Sequence, residues 1–420
     1  MEEWKEYSIS DITEEIAMGP FGSNIKVDNF IDFGVPVLNG SNLQGFKLQE
    51  ESFNYVSQEK ADSLGKANAH RGDVVITHRG TLGQIVYIPQ DSKFEQYVIS
   101  QSQFRLKLKQ DLIRPDFFVY FFHTPIGQHR ILMNASQVGV PALARPTSTF
   151  KEVFVPVPPL ETQNAIMAIL SSLDKKIEVN KRLNDNLEHQ AQALYKSWFV
   201  DFEPFKDNEF VKSELGMIPK GWSIQKAQDI FEINIGKTPP RKEKEWFTES
   251  TEDNIWVSIA DMGNCGVFIS DSSEYLTEKA IRKFNILMVE KDSVLLSFKL
   301  TIGRVAIADA KLTTNEAIAR FILPDKSYRE FLYLYLKRYE YGSLGSTSSI
   351  ATAVNSKTIK GMKLLMPNAD IIKSFSHKAR PLFEQIRIKQ QESRRLSQLR
   401  DALLPRLMSG ELKVNEIEMP

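Results

Sequence analysis

LETQNAIMAILSSLDKKIEVNKRLNDNLEHQAQALYKSWF, residues 160–199, is the stretch that decides the fold. It contains neither Gly nor Pro, whereas Pro158 and Pro159 stand before it and Pro204 follows it. Its apolar residues recur at steps of three and four, which predicts one continuous helix. A helix of this length is about 60 Å long. Its apolar stripe therefore needs a partner that extends along it.

A second stretch near the C-terminus, from Ile372 to Leu407, has the same spacing and supplies the partner. At one constant offset, the stripes align Leu173, Ile177, Leu187 and Leu194 with Leu382, Ile386, Leu396 and Leu403, and Trp198 continues the first stripe. Because Pro381 lacks an N–H and clashes with the preceding turn, it predicts a kink or a new helix start in the second stretch.

Two ordinary amphipathic helices in separate cores would also produce such stripes. Their length favours a different interpretation, as do the polar residues within both stripes, Asn180 and Asn184 in the first and Lys389 and Ser393 in the second. Polar residues at seam positions are typical of coiled coils, where they specify register. We therefore predict that the two helices pair as an antiparallel coiled coil.

The rest of the chain repeats as well. DVVITHRGTLGQIVY (73–87) is similar to DSVLLSFKLTIGRVAI (292–307), and GVPALARPTSTFKEVFVPVP (139–158) is similar to SSIATAVNSKTIKGMKLLMP (348–367). Short β-rich runs between turn residues predict a globular α/β fold in each copy. The predicted architecture is a pseudo-two-fold tandem of two α/β domains, each followed by a long helix.

Changes in amino-acid composition along the chain define the expected domain boundaries. The predicted segments are a first globular domain (1–157), a first spacer helix (158–203), a charged linker (204–221), a second globular domain (222–367), a second spacer helix (368–412) and a C-terminal tail (413–420).

The bulk composition excludes few functions. Lysine plus arginine equals aspartate plus glutamate at 53 each, so the net charge neither supports nor excludes a nucleic-acid partner. A single cysteine, Cys265, excludes a disulfide framework and a cysteine-rich zinc site. No apolar run approaches about 18 residues, and the first residues lack a basic region followed by an apolar one. We therefore expect a cytoplasmic protein with no membrane span.

Catalytic motifs are missing from the sequence. Gly236-Lys237-Thr238 resembles the end of a phosphate-binding loop, but Phe231 occupies the position of its first glycine. The 6 histidines are scattered without ligand spacing, and no Gly-rich cofactor loop follows a strand. We expect no catalytic residue, no metal site and no cofactor bound by this chain.

Loops of both globular copies are rich in basic and hydrogen-bonding side chains. Arg, Lys, Asn and Gln can hydrogen-bond to base edges, while Lys, Ser and Thr hold phosphates. Each such residue alone is more simply a solvated loop residue. Two similar domains with different loop residues, however, suit two different short DNA sequences. The candidate DNA-binding residues are Lys26, Asn39, Asn42, His78, Arg79, Thr81, Gln101, Gln103, Gln137 and Arg145 in the first copy, and Lys237, Arg241, Lys242, Lys299, Thr301, Arg304 and Lys357 in the second.

The chain resembles, over nearly its whole length, the DNA-specificity subunit of type I restriction-modification enzymes. The most specific matching segments are GPFGSNIK (19–26), PPLETQ (158–163), LDKKIEVNKRLNDNLEHQAQALYKSWFVDFEP (173–204), ELGMIPKGW (214–222) and LSQLRDALLPRLMSGEL (396–412). The resemblance implies that each globular copy is a target recognition domain. It also implies a non-catalytic subunit that recognises a bipartite, asymmetric target in double-stranded DNA.

The same resemblance implies which partners the chain has. The helices would dock two modification subunits, and restriction subunits that translocate DNA would join them. S-adenosylmethionine, ATP and Mg²⁺ would bind to those partner subunits. The resemblance transfers no base-contacting residue, so the candidate loop residues rest on their chemistry alone.

Other functions make different demands on the sequence. A stand-alone methyltransferase or nuclease should carry a Gly-rich cofactor loop and a proline-containing catalytic loop. A non-catalytic coiled-coil scaffold should show no salt-dependent binding to duplex DNA. A specificity module of another DNA methyltransferase assembly is a further alternative.

Overall fold

A computed structural model describes residues 4–133, 135–136, 140–344 and 354–416. The chain divides into two compact units. The first unit comprises Met1–Lys176 and Arg395–Pro420, and the second comprises Ile177–Arg394.

Two four-stranded sheets, in the orders β2-β9-β6-β7 and β4-β3-β8-β5, form the body of the first unit. The strands of this unit are β1 (Lys5–Ser8), β2 (Thr13–Met18), β3 (Val35–Val37), β4 (Asn54–Val56), β5 (Asn68–His70), β6 (Val74–Thr77), β7 (Ile85–Tyr87), β8 (Gln96–Val98), β9 (Gln103–Leu108), β10 (Ala135–Ser136), β11 (Ala142–Leu143) and β12 (Phe154–Val157). Every pair in the first sheet is antiparallel. The second sheet contains one parallel pair, β3 with β8. These sheets confirm an α/β fold for the first globular copy.

Helices pack against both sheets and complete the core of the unit. They are α1 (Ile9–Ile12), α2 (Gln58–Ser63), α3 (Pro115–Phe122), α4 (Pro125–Leu132), α5 (Pro146–Lys151) and the first part of the long α6 (Leu160–Phe199). All residues of α3 from Phe117 to Phe122 are buried. The core also takes Ile166 and Leu170 from α6. The long helix thus begins as part of the first globular fold.

Gln163, in the PPLETQ segment, fastens α6 to the first unit. Its side chain is fully buried, and its Oε1 accepts a hydrogen bond from the backbone N–H of Arg114 at 2.9 Å. Its Nε2 donates to the carbonyls of Leu112 and Pro158 at 2.9 and 2.8 Å. One amide therefore satisfies three backbone groups where the helix leaves the domain, and an apolar residue of similar size could satisfy none of them.

The second unit is built around a five-stranded sheet, β16-β24-β21-β22-β19, and a four-stranded sheet, β17-β20-β18-β23. Its strands are β13 (Phe210–Ser213), β14 (Gly216–Pro219), β15 (Ser223–Lys226), β16 (Glu232–Ile235), β17 (Phe247–Thr248), β18 (Asn254–Val257), β19 (Phe268–Ile269), β20 (Tyr275–Leu276), β21 (Val294–Ser297), β22 (Val305–Ala308), β23 (Thr313–Thr314), β24 (Ile318–Ile322) and β25 (Lys363–Met366). Strands β13 and β14 form a hairpin within the charged segment predicted as a linker.

Helices of the second unit pack against both of its sheets and against the long helices. They are α7 (Ala227–Ile230), α8 (Ile259–Asn264), α9 (Glu278–Lys283), α10 (Tyr328–Arg338), α11 (Ser356–Lys360) and most of α12 (Ala369–Met408). The main core combines sheet residues with Tyr195 and Trp198 of α6 and with Phe375 and Ile386 of α12.

The two long helices pair in antiparallel fashion, as predicted. In the second unit, Asn180 donates to the Glu392 carboxylate at 3.0 Å, whereas the ring of Phe375 lies 6.1 Å from that of Tyr195. Position 180 precedes 195 but position 392 follows 375, so the chain directions are opposite. In the first unit, Arg400 donates to Asp174 at 2.7 Å. The alternative of two helices in separate cores is therefore excluded.

The predicted stripe residues are shielded from solvent to different degrees. Trp198 and Ile386 are buried, and the others are half-buried: Leu173, Ile177, Leu187, Leu194, Leu382, Leu396 and Leu403. The prediction that Pro381 starts a new helix is wrong, because α12 runs through it without interruption. Pro381 and His377 are both exposed, so solvent can hydrate the carbonyl that the proline leaves without an intrahelical partner.

An ionic cluster joins α10 and α12 to the sheet of the second unit. Asp292, which precedes β21, accepts from Arg329 of α10 at 2.6 Å and from Arg387 of α12 at 2.7 Å. Glu330 is fully buried and accepts from Arg329 at 2.6 Å and from Ser376 at 2.9 Å. Burial tends to raise the pKa of Asp292, but the bonds from the two arginines outweigh it and lower the pKa to about 2.

Replacing Asp292 should destabilise the second unit in a pH-dependent way. Since the folded-state pKa lies below the ordinary value of 3.8, the carboxylate stabilises the fold above about pH 4, and this contribution disappears as the pH falls toward 2. Asp292→Asn should lower the unfolding free energy by about 2 kcal/mol at pH 7. Asparagine also tolerates the left-handed backbone of this position, φ +73°.

Urea unfolding followed by tryptophan fluorescence at pH 7 and pH 3 would measure this loss. The difference between Asp292→Asn and the native chain should shrink at the lower pH. Glu249→Gln, at an exposed position, is the matched control and should change little. A difference that is equal at both pH values would contradict the assigned role of the carboxylate.

Replacing Gln163 should loosen the start of α6. Gln163→Leu leaves the N–H of Arg114 and two carbonyls without partners, which should cost about 2–4 kcal/mol. Gln192→Leu, on an exposed face of the same helix, should cost less than about 0.5 kcal/mol. Hydrogen exchange of the amide of Arg114 would report the change, and native protection in Gln163→Leu would refute it.

Candidate nucleic-acid interface

Three loops of the second unit come together at one end of its five-stranded sheet. Strands β16 and β21 end there and β22 and β24 begin there, because neighbouring strands in this part of the sheet are antiparallel. The N–H of Lys237 donates to the carbonyl of Thr314, and that of Phe298 donates to Ala317, both at 2.9 Å. Residues 236–246, 297–304 and 315–317 are called here the loop end of the second unit.

The first unit has a loop end of the same construction, formed by residues 19–26, 77–84 and 99–102. The N–H of Gly19 donates to Gln103, and the N–H of His78 donates to Ser102, both at 2.8 Å. A Cβ on Gly19 would overlap the carbonyl oxygen of Ser100, so this position of the GPFG segment requires glycine. The segment 140–145 adjoins this end through a bond from Gly80 to the carbonyl of Pro141 at 2.9 Å.

One turn has the same length in both loop ends and a glycine with positive φ at the same position. Residues 77–84 connect the paired Ile76 and Ile85, and residues 297–304 connect the paired Leu296 and Val305, so the two turns have equal length. Gly83 and Gly303 adopt positive φ at equivalent positions, +85° and +90°. These will be called the first turn and the second turn. Arg79 of the first turn and Lys299 of the second occupy the same place.

Half of the candidate residues of the first unit lie at its loop end. Lys26, Arg79, Thr81 and Gln101 are exposed there, and Arg145 is exposed in the adjoining segment. His78 is half-buried, and its Nε2 lies 3.1 Å from the carbonyl of Gln101. Burial lowers the pKa of His78, so its ring is neutral at pH 7.

Three further candidates of the first unit are turned inward. Gln103 is fully buried, and its Oε1 accepts from the N–H of Ser100 at 2.8 Å. Asn42 is buried and donates to two backbone carbonyls of its own loop. Asn39 is half-buried and caps the turn that follows β3. In this structure these side chains shape the loops rather than face solvent, while Gln137 lies outside the described residues.

The candidates of the second unit also divide into outward and inward groups. Lys242, Lys299 and Thr301 are exposed at the loop end, and Lys357 is exposed on α11. Lys237 donates to the carbonyls of Phe284 and Asn285 at 3.2 and 3.1 Å. Arg304 is half-buried and donates to the carbonyl of Ile259 at 2.6 Å, so its guanidinium stabilises the loop.

Arg241 is held against an aromatic surface at the loop end of the second unit. Its guanidinium lies 4.4 Å from the ring centre of Phe247 and 4.5 Å from that of Trp256. It also pairs with Glu274 at 2.7 Å. The side chain is therefore both exposed and positioned, which suits contact with a partner at low entropic cost.

Two exposed apolar residues at the loop ends were missed because only polar side chains were considered. Phe21 is 82% exposed at the loop end of the first unit, and Leu300 is 97% exposed in the second turn. Alignment of the two turns could have revealed Leu300, since it stands where the first turn has Gly80.

The parts of the chain that the structure describes lack the features of a metal site and of a membrane-spanning helix. No group of three His, Cys, Asp or Glu residues there could hold a metal ion. No helix in those parts is long and apolar enough to cross a membrane. Burial raises the pKa of Cys265 to about 11, so its thiol is protonated at neutral pH and is a poor nucleophile.

Comparison with known proteins agrees with this architecture. The family model described as type I restriction modification DNA specificity domain matches residues 1–189 and 219–399, that is, both repeats. The HindI specificity subunit, a type I restriction enzyme subunit of Haemophilus influenzae, is 26% identical over 479 residues, covering 98% of this chain and 100% of the relative. The MjaIX specificity subunit of Methanocaldococcus jannaschii is 28% identical over 434 residues, covering 99% and 95%.

A solved structure shows the same fold. The type I restriction-modification S subunit from M. genitalium aligns with a TM-score of 0.53 and 16% identity over 96% of each chain. Because the family model covers both repeats, the chain belongs to the type I restriction-modification DNA specificity family, with one specificity domain in each repeat.

Proposed function

We propose that each loop end binds one half of a bipartite, asymmetric target in double-stranded DNA. The observation that carries this proposal is the pair of equivalent turns, which share their length and a left-handed glycine but differ in side chains. A shared scaffold with different surface residues can hold two DNA segments in the same way while recognising different bases.

The two turns suggest a division of labour among their residues. Arg79 and Lys299 are cationic at the same place, as contacts to the invariant phosphate backbone would require. The adjacent positions differ, with Gly80 in the first turn and Leu300 in the second. We assign the shared cations to phosphates and the differing positions to bases.

The long helices are the proposed docking surface for two modification subunits. Val179 and Leu183, one turn apart on α6, are 47% and 44% exposed, and Ile388 of α12 is 51% exposed in the same unit. Leu399 of α12 is similarly exposed in the first unit. Apolar residues that remain exposed on paired helices favour a protein partner. Restriction subunits that translocate DNA would then join the complex.

The chemistry of modification and restriction belongs, in this proposal, to the partners. S-adenosylmethionine would bind to the modification subunits, and ATP with Mg²⁺ to the restriction subunits. A subunit that recognises cellular DNA works where that DNA is, so we place it in the cytoplasm of a prokaryotic cell.

Removing one of the shared cations should weaken DNA binding without changing the recognised sequence. Arg79→Ala and Lys299→Ala should each lower the slope of log affinity against log salt by about one. Arg79→Lys is the matched control, because it retains the charge. Fluorescence anisotropy of the complex with its modification subunits, titrated with salt, measures the slope. An altered methylated motif in either alanine variant would contradict the assignment to phosphates.

Exchanging one recognition domain should change one half of the target. Replacing residues 1–157 with the same region of a relative of different specificity should alter one half of the methylated motif and leave the other half intact. Methylome sequencing of cells that carry the chimera and the modification subunit gives the result. Changes in both halves would refute independent recognition, and binding without salt dependence would favour a scaffold over a DNA-recognition subunit.

A further inference from the structure

Leu300 combines two unfavourable properties. Its side chain is 97% exposed, and its backbone is left-handed, with φ +59°. Residues other than Gly, Asn and Asp are rare in that region, because the Cβ of an L-residue there approaches the following carbonyl oxygen. The equivalent Gly80 adopts φ +92° without that strain. The second turn therefore holds a residue that neither burial nor backbone geometry explains.

The strained residue is held in place by its turn. The Ser297 hydroxyl donates to the carbonyl of Thr301 at 2.6 Å and accepts from the N–H of Arg304 at 3.0 Å. The N–H of Ser297 also donates to the carbonyl of Arg304 at 2.9 Å. These three bonds close the turn below Leu300. A strained backbone conformation persists only where the surrounding structure holds it in place. Such conformations are characteristic of functional sites.

The surroundings of Leu300 favour nucleic acid over protein as its partner. Its chain neighbours, Lys299 and Thr301, are exposed and polar, so Leu300 is a single apolar point between polar residues. A protein-docking surface is instead a contiguous apolar patch. Lys242, also exposed at this loop end, adds positive charge that suits a polyanion.

The chemistry of the side chain narrows the contact further. Leucine has neither a donor nor an acceptor, so it cannot bind a phosphate or the polar edge of a base. The apolar group that a base edge presents in the major groove is the C5-methyl of thymine. We propose that Leu300 packs against a thymine methyl group in the half of the target bound by the second unit. It is then a specificity-determining residue, an inference that rests on the proposed function.

Leu300→Gly is the primary test, because glycine removes the side chain and also relieves the strained backbone. The variant should be at least as stable as the native chain but should bind the target about fivefold to tenfold more weakly, the scale of a lost apolar contact. Leu300→Asn is the second variant, since asparagine tolerates the left-handed region and is not apolar. It should lose affinity to a similar extent.

Removing methyl groups from the DNA identifies the contact. Once methylome sequencing has defined the target, each thymine is replaced in turn by deoxyuridine, which lacks only the methyl group. The native complex should lose affinity at one position in the half-site of the second unit. Leu300→Gly should be insensitive to the same replacement, because the contact is already absent.

Gly80→Leu provides a reciprocal control in the first unit. A Cβ at Gly80 would meet no atom within 4 Å, so a side chain can start there without a clash, although φ +92° makes it strained. This variant should lower stability while leaving the deoxyuridine profile of the other half-site unchanged. A changed profile there would show that the assay reports general damage to the complex, and the assignment of Leu300 would fall with it.

The outcomes separate this inference from the proposed function. If the native complex shows no salt-dependent binding to duplex DNA, the proposed function fails and the contact fails with it. If the native complex binds its target and Leu300→Gly binds equally well, the contact alone is overturned. Two further results would also overturn the thymine contact. One is that Leu300→Gly binds DNA more weakly but no single deoxyuridine replacement lowers the affinity of the native complex. The other is that the variant no longer assembles with the modification subunits.

Discussion

The pairing of the two long helices is the interaction on which both units depend. The core of the first unit contains Ile166 and Leu170 of α6 together with Leu404 and Leu407 of α12. The core of the second unit likewise takes residues from both helices. The core of each globular copy needs residues from both long helices, not only from the helix that follows it in the sequence. A break in either helix would therefore remove apolar surface from two cores, which makes the helices the most sensitive part of the fold.

A neutral amide and an ionic cluster are two of the contacts that attach the long helices to the units. Gln163 joins α6 to the first unit through neutral amide bonds to the backbone. In the second unit, Arg329 and Arg387 converge on Asp292 and join α12 to the sheet through charge. Neutral bonds are insensitive to pH in the physiological range, whereas the ionic cluster loses its carboxylate charge in acid. The contribution of the ionic cluster to stability therefore depends on pH, whereas that of Gln163 does not.

Sequence patterns predicted the architecture well because the architecture follows from the spacing of apolar residues and from the positions of helix-breaking prolines. The span of α6 follows from an uninterrupted stripe between prolines, and the structure gives the same residues. The new helix start that was one of two effects expected of Pro381 does not occur. The effect of a proline depends on whether solvent reaches the freed carbonyl, which sequence does not show. The direction in which the loop side chains face was harder to predict for a similar reason. Polarity identifies a side chain that can bind DNA. Gln103 and Asn42, however, are buried and form their hydrogen bonds within the protein, which only the folded structure shows.

The discontinuity of the first unit has a consequence for the order in which the chain matures. The second unit is one unbroken stretch, Ile177–Arg394, whereas the first needs Arg395–Pro420 as well. On the ribosome, the first segment of this unit must therefore wait until the whole second unit has been synthesised, with part of its apolar surface uncovered. Contacts such as Arg400 with Asp174, which span 226 positions, form only after the second unit has been made. The unit whose first segment precedes the other in the sequence is thus the later of the two to be completed.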